Sequence, residues 1–234
     1  MEPKDTNFLA RALLLAMHCP PDTAPNPRVG CIIVNPSDEI IGQGNTQRCG
    51  GHHAEVMALK MAQENNKNTH GASAYVTLEP CSHHGRTPPC CDSLIRAGLS
   101  KVFIIHRDPN PLVNGHGIER LRAAGMTVMV LEQIDSKNDL VLQAYELNIG
   151  FFNRVKFNRP WVRLKIAMSM DGFSALENGD SKWITSTESR TDVHHLRSLS
   201  CGILTGIGSV LADDSSLNVR LVPCLRQPHA IVIR

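Results

Sequence analysis

GASAYVTLEPCSHHGRTPPCCDSLIRAGLSKVFIIH, residues 71–106, sets two short apolar runs on either side of a proline-opened segment. ASAYVTLEP and KVFIIH are rich in β-branched and aromatic residues, and each has the length of a buried strand. PCCDSLIRAGL between them reads as a helix, because its opening prolines suit a first turn. The stretch is therefore expected to fold as strand, loop, helix, strand.

The same alternation extends in both directions. Upstream, residues 5–18 read as an amphipathic helix stopped by CPPD. TAPNPRVG is a loop, since Pro25 and Pro27 both disfavour helix. VGCIIVN and IIGQG form a hairpin around the turn NPSDE, and HAEVMALKMAQEN is a helix. Downstream come a loop, DPNPLVNGHG, a helix, IERLRAAG, a strand, MTVMVLE, and one long helix, SKNDLVLQAYELNIGFFNR. A hairpin followed by alternating strands and helices predicts a layered α/β domain over residues 1–147, with a mostly parallel sheet covered on both faces. Residues 148–234 form a second expected unit. WVRLKIAMSMDG is a strand and turn, STESRTDVHHLRSL a helix with a Ser/Glu capping box, CGILTGIGSVLADD a strand, turn and helix, and PHAIVIR a final strand. Ending on a strand after so short a run, this unit reads as unfinished.

Composition narrows the function classes. Of 234 residues, 42% are hydrophobic and 20% charged, as in ordinary globular proteins, and the formal net charge is +2. That balance gives no reason to expect nucleic acid or an anionic membrane as a partner. The apolar run FLARALLLAM is interrupted by Arg11, follows the acidic MEPKD, and is too short to span a bilayer. A cytosolic location is expected, where disulfides are rare, so the eight cysteines are expected to be thiols or metal ligands.

Chemistry concentrates in two places. His53-Ala54-Glu55 opens one expected helix, and Pro80-Cys81 follows a strand shortly before Cys90 opens another helix. One His and two Cys leave a fourth tetrahedral position open, as catalytic zinc requires, and zinc can bring the pKa of water to roughly 7. A carboxylate that is not itself a ligand can then shuttle protons, and Glu55 is placed for that. Zinc deaminases carry H-x-E followed by P-C-x-x-C. Here the first half is present, while the second is stretched by SHHGRTPP between Cys81 and Cys90. Adjacent residues at a helix start point about 100° apart, so Cys90 and Cys91 are not both expected on one ion, and spacing does not choose between them. GIGSVL lacks the third glycine of a dinucleotide-binding fingerprint.

HHAEVMAL, TLEPCSHHGRTPPC, TAPNPRVGCIIV and DPNP, in the chain, resemble the deaminase half of the bifunctional riboflavin-biosynthesis deaminase/reductases. LKIAMSMDGFSA, GDSKWITSTESR and LRSLSCGILTGIGSVLADDSSLNVR resemble the start of their reductase half. The resemblance implies a three-layer cytidine-deaminase-like α/β domain followed by the incomplete start of a dihydrofolate-reductase-like domain. It implies zinc on His53, Cys81 and Cys90, so it selects Cys90 over Cys91, with Glu55 as proton shuttle. The implied substrate is 2,5-diamino-6-ribosylamino-4(3H)-pyrimidinone 5′-phosphate, losing its 2-amino group as ammonia. Asn26, His83, Arg86, Asp108 and Asn110 match substrate positions. In the reductase half, Ala167, Trp183, Ser209 and Asp213 match NADPH-side positions, and Ser181, Arg197, Leu217 and Arg220 match substrate-side positions. GFSAL and DDSSLNVR depart from the family pattern, and its later reductase strands lie beyond residue 234. A truncated reductase without activity of its own is therefore expected, with exposed apolar strands favouring a homo-oligomer.

Two other readings predict different behaviour. A nucleoside or tRNA-base deaminase would turn over cytidine or adenosine-containing RNA. A non-catalytic zinc module would close its site with a fourth protein ligand, Cys91 or His52, and would not depend on Glu55.

Overall fold

A computed structural model describes residues 1–83, 88–111 and 113–234, which fall into two compact units, 1–161 and 162–234. In the first unit the elements follow in the order α1 (Pro3–Met17), β1 (Gly30–Val34), β2 (Ile40–Asn45), α2 (Ala54–Glu64), β3 (Ser73–Leu78) and α3 (Cys90–Arg96). They continue with β4 (Lys101–His106), α4 (His116–Ala123), β5 (Thr127–Val130), α5 (Leu131–Ile134), α6 (Asp139–Leu147) and α7 (Ile149–Phe157).

The five strands form one sheet in the order β2-β1-β3-β4-β5. β1 is antiparallel to both neighbours, while β3, β4 and β5 are mutually parallel. Every strand but β1 therefore runs in the same direction. Side chains alternate across the sheet with period 2. Cys31, Ile33, Ala74, Val76, Val102 and Ile104 enter one buried layer with residues of α2, α3 and α4. Ile32, Val34, Tyr75, Phe103 and Ile105 enter the other with residues of α1 and α6. Burial on both faces explains why the strands read as continuous apolar runs. Tyr75 stacks on Phe103 at 4.6 Å and donates its hydroxyl to buried Asp5 of α1 at 2.8 Å, fastening that helix to the sheet.

β2 receives α2 unusually closely. A Cβ on Gly44 would stand 2.6 Å from the Ala54 carbonyl oxygen and 2.5 Å from the Met57 Cβ. Gly44→Ala must push away the start of α2, the turn that carries Glu55. Overpacking of this kind costs about 1–3 kcal/mol, so Gly44→Ala is expected to lower the melting temperature by roughly 2–12 °C. An unchanged thermal unfolding curve would contradict the packing described.

The first unit departs from the sequence expectation in its last elements. The long helix expected over 136–154 breaks at Asn148. Its side chain accepts from the Arg28 backbone N–H and donates to the Arg28 carbonyl, both at 2.8 Å, and this backbone mimicry opposes a continuous helix. α7, beyond the expected boundary at residue 147, then places Phe152 in the first unit's core. Residues after Val130 turn directly into α5, which shortens the expected strand MTVMVLE.

In the second unit, α8 (Thr187–Ser198), β6 (Gly202–Gly206), α9 (Ile207–Asp213) and β7 (His229–Ile233) are regular. β6 and β7 pair in parallel across the α9 crossover. Ser186 caps α8 by accepting from the Ser189 N–H at 3.2 Å. The third helical position is Ser189 and not Glu188, so the expected Ser/Glu box is half present. WVRLKIAMSMDG forms no strand: it pairs with neither sheet, and its Val162, Leu164 and Ile166 side chains are exposed instead of packed. No described helix is long and apolar enough to cross a membrane.

Candidate active site

Three elements deliver the donor set. His53 is the N-cap residue of α2, Cys81 follows the Pro80 that ends the β3 segment, and Cys90 is the first residue of α3. The His53 Nδ1 lies 3.3 Å from the Cys90 Sγ and 3.7 Å from the Cys81 Sγ. All three donor atoms lie within 4.8 Å of one another, and this is the metal-type cluster found among the described residues. Tetrahedral zinc with ordinary Zn–S and Zn–N bonds sets such S···N pairs at about 3.5 Å. One imidazole and two thiols at these separations fit zinc in donor type and in size.

The electrostatics favour an anionic sulfur at Cys81. The Cys90 backbone N–H donates to the Cys81 Sγ at 3.3 Å, and the starts of two helices face the cluster. Hydrogen bonds from Cys90 and His53 bring the Cys81 thiol well down, while the neighbouring Cys81 and burial push Cys90 up. Cys91 faces away. Its buried Sγ donates to the Pro80 carbonyl at 3.2 Å and lies 3.6 Å from the Gly117 carbonyl, within the apolar layer under the sheet. The helix start thus separates the adjacent thiols, which spacing alone left equivalent. His52 is exposed and not part of the cluster.

Glu55, in the first turn of α2, is 4% exposed. Burial is the main reason its carboxyl is pushed up to about 7, with the Cys81 charge adding and His53 opposing. A buried carboxyl beside a metal-type cluster, poised near neutrality, has the properties of a proton carrier.

His53, Glu55 and Cys81 line a cavity of about 400 Å³, with Cys90 buried beside His53. Asn26, His83, Asp108 and Asn110 also line it, as do Thr46, Gly50, Gly51, Phe151 and Arg154. Asp108 is buried, which pushes its carboxyl up to about 6, and its Oδ1 accepts from the Asn110 N–H at 2.8 Å. Arg86 lies outside the described residues.

Sequence reasoning gave no role to Glu79, which directs one wall of the cavity. This buried carboxylate accepts from the backbone N–H groups of Asp108 (3.2 Å), Gly115 (2.9 Å) and Ile118 (3.2 Å). It thereby folds the loop after β4 so that Asp108 and Asn110 face the cavity. Lying two residues before Cys81, it ties that wall to the donor set. Its partners are backbone groups distant in sequence, so no motif spacing announces it.

In the second unit the expected residues fall into separate groups. The Arg197 Nη1 donates to the Asn218 carbonyl at 3.1 Å and the Arg220 Nη1 to the Asn218 Oδ1 at 3.0 Å, with Leu217 adjacent at φ +48°. The Arg220 backbone N–H donates to the Nδ1 of buried His194 at 3.1 Å. Ser209 and Asp213 lie one turn apart on α9. Ala167 and Ser181 lie in the irregular stretch before α8, and Trp183 carries the Arg190 guanidinium over its ring at 4.3 Å. Arg197 and Arg220 thus converge on one backbone turn.

Comparison with known proteins bears on both units. Residues 2–106 match the cytidine and deoxycytidylate deaminase zinc-binding region, and residues 160–234 match the RibD C-terminal domain. The riboflavin biosynthesis protein RibD of Escherichia coli (strain K12) is 48% identical over 242 residues, covering 98% of this chain and 63% of that protein. The crystal structure of a diaminohydroxyphosphoribosylaminopyrimidine deaminase/5-amino-6-(5-phosphoribosylamino)uracil reductase from Thermotoga maritima superimposes with a TM-score of 0.89 at 38% identity. That match covers 98% of this chain and 62% of the other. RibD of Acinetobacter baumannii gives a TM-score of 0.87 at 42% identity, covering 98% and 63%. The chain spans somewhat less than two thirds of the length of these relatives.

Proposed function

Because this chain belongs to the RibD family of riboflavin-biosynthesis proteins, we propose that its first unit hydrolytically deaminates a phosphorylated diaminopyrimidine. That unit has a cytidine-deaminase-like fold, and the second belongs to the dihydrofolate-reductase-like RibD C-terminal type. The observation that carries the proposal is the His53, Cys81 and Cys90 donor set, of which His53 and Cys81 share one cavity with buried Glu55.

In this reading the His53 Nδ1 and the Cys81 and Cys90 sulfurs would hold zinc, which would supply the Lewis acidity that makes water ionisable near neutral pH. Glu55 accepts the water proton on its carboxylate and returns it to the departing 2-amino group, which leaves as ammonia. Its burial keeps the carboxyl near the working pH and shields it from bulk water. Asn26, with a donor and an acceptor on one amide, orients the pyrimidine edge from the opposite wall. Asp108 and Asn110, on the loop held by Glu79, bind and orient the ribosyl side, and His83 contacts the substrate from the rim. Arg86 is assigned to the substrate phosphate on its motif position.

We extend the reading to the second unit as the part of an NADPH-dependent reductase that binds the deaminated product through Ser181, Arg197, Leu217 and Arg220. The convergence of Arg197 and Arg220 on Asn218 supports the anionic half of that assignment. Ala167, Trp183, Ser209 and Asp213 are its NADPH-side residues. Eight free thiols favour a reducing, cytosolic setting, and exposed Leu164, Leu204, Leu211 and Leu225 favour a homo-oligomer.

Ammonia release measured with the diaminopyrimidine phosphate, cytidine and adenosine-containing RNA tests the assignment. Turnover is expected with the first. Turnover confined to either of the others would overturn the substrate assignment, and a chain that holds zinc yet deaminates none of the three would overturn the deaminase itself.

A further inference from the structure

We propose that Arg154 is a specificity residue of the deaminase cavity and binds the phosphate of its substrate. The inference rests on the proposed phosphorylated substrate and adds a residue from the far end of the first unit. Glu55, Glu79 and Asp108 place three carboxyl groups along the cavity wall. Among the described lining residues, Arg154 is the only lysine or arginine. A phosphate monoester carries about −1.5 to −2 charges near neutrality, so entry beside those carboxyls needs a fixed cation.

Arg154 is held in place for that task. One Nη2 donates to the Pro25 carbonyl at 3.0 Å, and the guanidinium lies 5.9 Å from the centroid of the Phe151 ring. A guanidinium has five N–H donors in a planar fork, so a single carbonyl leaves most of them for an anion. The helix beneath is itself fixed. Asn148 grips the Arg28 backbone at the start of α7, and Phe152 is 2% exposed in the core. The same contacts position the 25–28 loop, so Asn26 and Arg154 are set by one rigid junction. Asn26 then meets the pyrimidine and Arg154 the phosphate at the other end of the ligand.

Deamination kinetics of Arg154→Gln and Arg154→Lys, with the phosphorylated substrate and its dephosphorylated counterpart, test this. Gln keeps a donor for the Pro25 carbonyl but loses the charge. Arg154→Gln is expected to raise KM for the phosphorylated substrate about tenfold or more. Its kcat, and its KM for the dephosphorylated compound, should change by less than about twofold. Arg154→Lys should recover part of the loss, and inorganic phosphate should inhibit the wild type more strongly than Arg154→Gln. An unchanged KM for the phosphorylated substrate, or equal losses on both compounds, overturns the proposal. A wild-type chain that deaminates neither compound overturns the deaminase reading and the proposal with it, an outcome distinct from those two.

Discussion

Glu55→Gln is expected to retain stoichiometric zinc while its deamination kcat falls by about 10²–10⁴-fold, the range contributed by a positioned general acid–base group. Gln keeps the shape of the side chain within the first turn of α2, where the native residue is 4% exposed. What it lacks is a carboxylate oxygen able to take up and release a proton. The donor set does not include Glu55, so metal binding and turnover should separate. Zinc content by elemental analysis, together with single-turnover ammonia release, reads the two properties independently. Full activity in the zinc-loaded variant would remove Glu55 from the chemistry and favour a structural metal. Loss of zinc along with activity would mean that the carboxyl supports the site and not the reaction.

The donor set was legible in the sequence because its members sit at element boundaries that short patterns mark. His53 and Glu55 open a helix, Cys81 follows a strand and its Glu79-Pro80 exit, and prolines precede Cys90. The sheet was legible for a similar reason, since strands buried on both faces appear as unbroken apolar runs. Features that depend on distant backbone groups were not legible. Asn148 looks like one more residue of an amphipathic helix until its amide meets Arg28, 120 positions away. Glu79 looks like a motif passenger until the loop after β4 folds its N–H groups onto the carboxylate. Arg154 reaches the cavity only because α7 packs back on the first unit. In the second unit, a β-prone run such as WVRLKIAM satisfied the pattern for a strand, but a strand also needs a neighbour to bond with.

The larger of the remaining effects is expected to divide two adjacent thiols. Cys90→Ser should lose zinc and deaminase activity, whereas Cys91→Ser should keep both. The Cys90 sulfur lies 3.3 Å from the His53 Nδ1, in the donor set. The Cys91 sulfur is directed to the Pro80 and Gly117 carbonyls, so a hydroxyl there can still donate to a carbonyl and should perturb packing only. An ion that binds the folded state alone stabilises it by about 2.7 kcal/mol at a free concentration 100 times its Kd. For a protein of this size that corresponds to roughly 5–11 °C in melting temperature. A chelator should therefore lower the melting temperature of the wild type and of Cys91→Ser by about that amount. It should leave Cys90→Ser, already without zinc, nearly unaffected. If Cys91→Ser is the variant that loses the ion and Cys90→Ser keeps it, the donor assignment is reversed. If both lose it, the site is closed by four protein ligands, and the open position that hydrolysis requires does not exist.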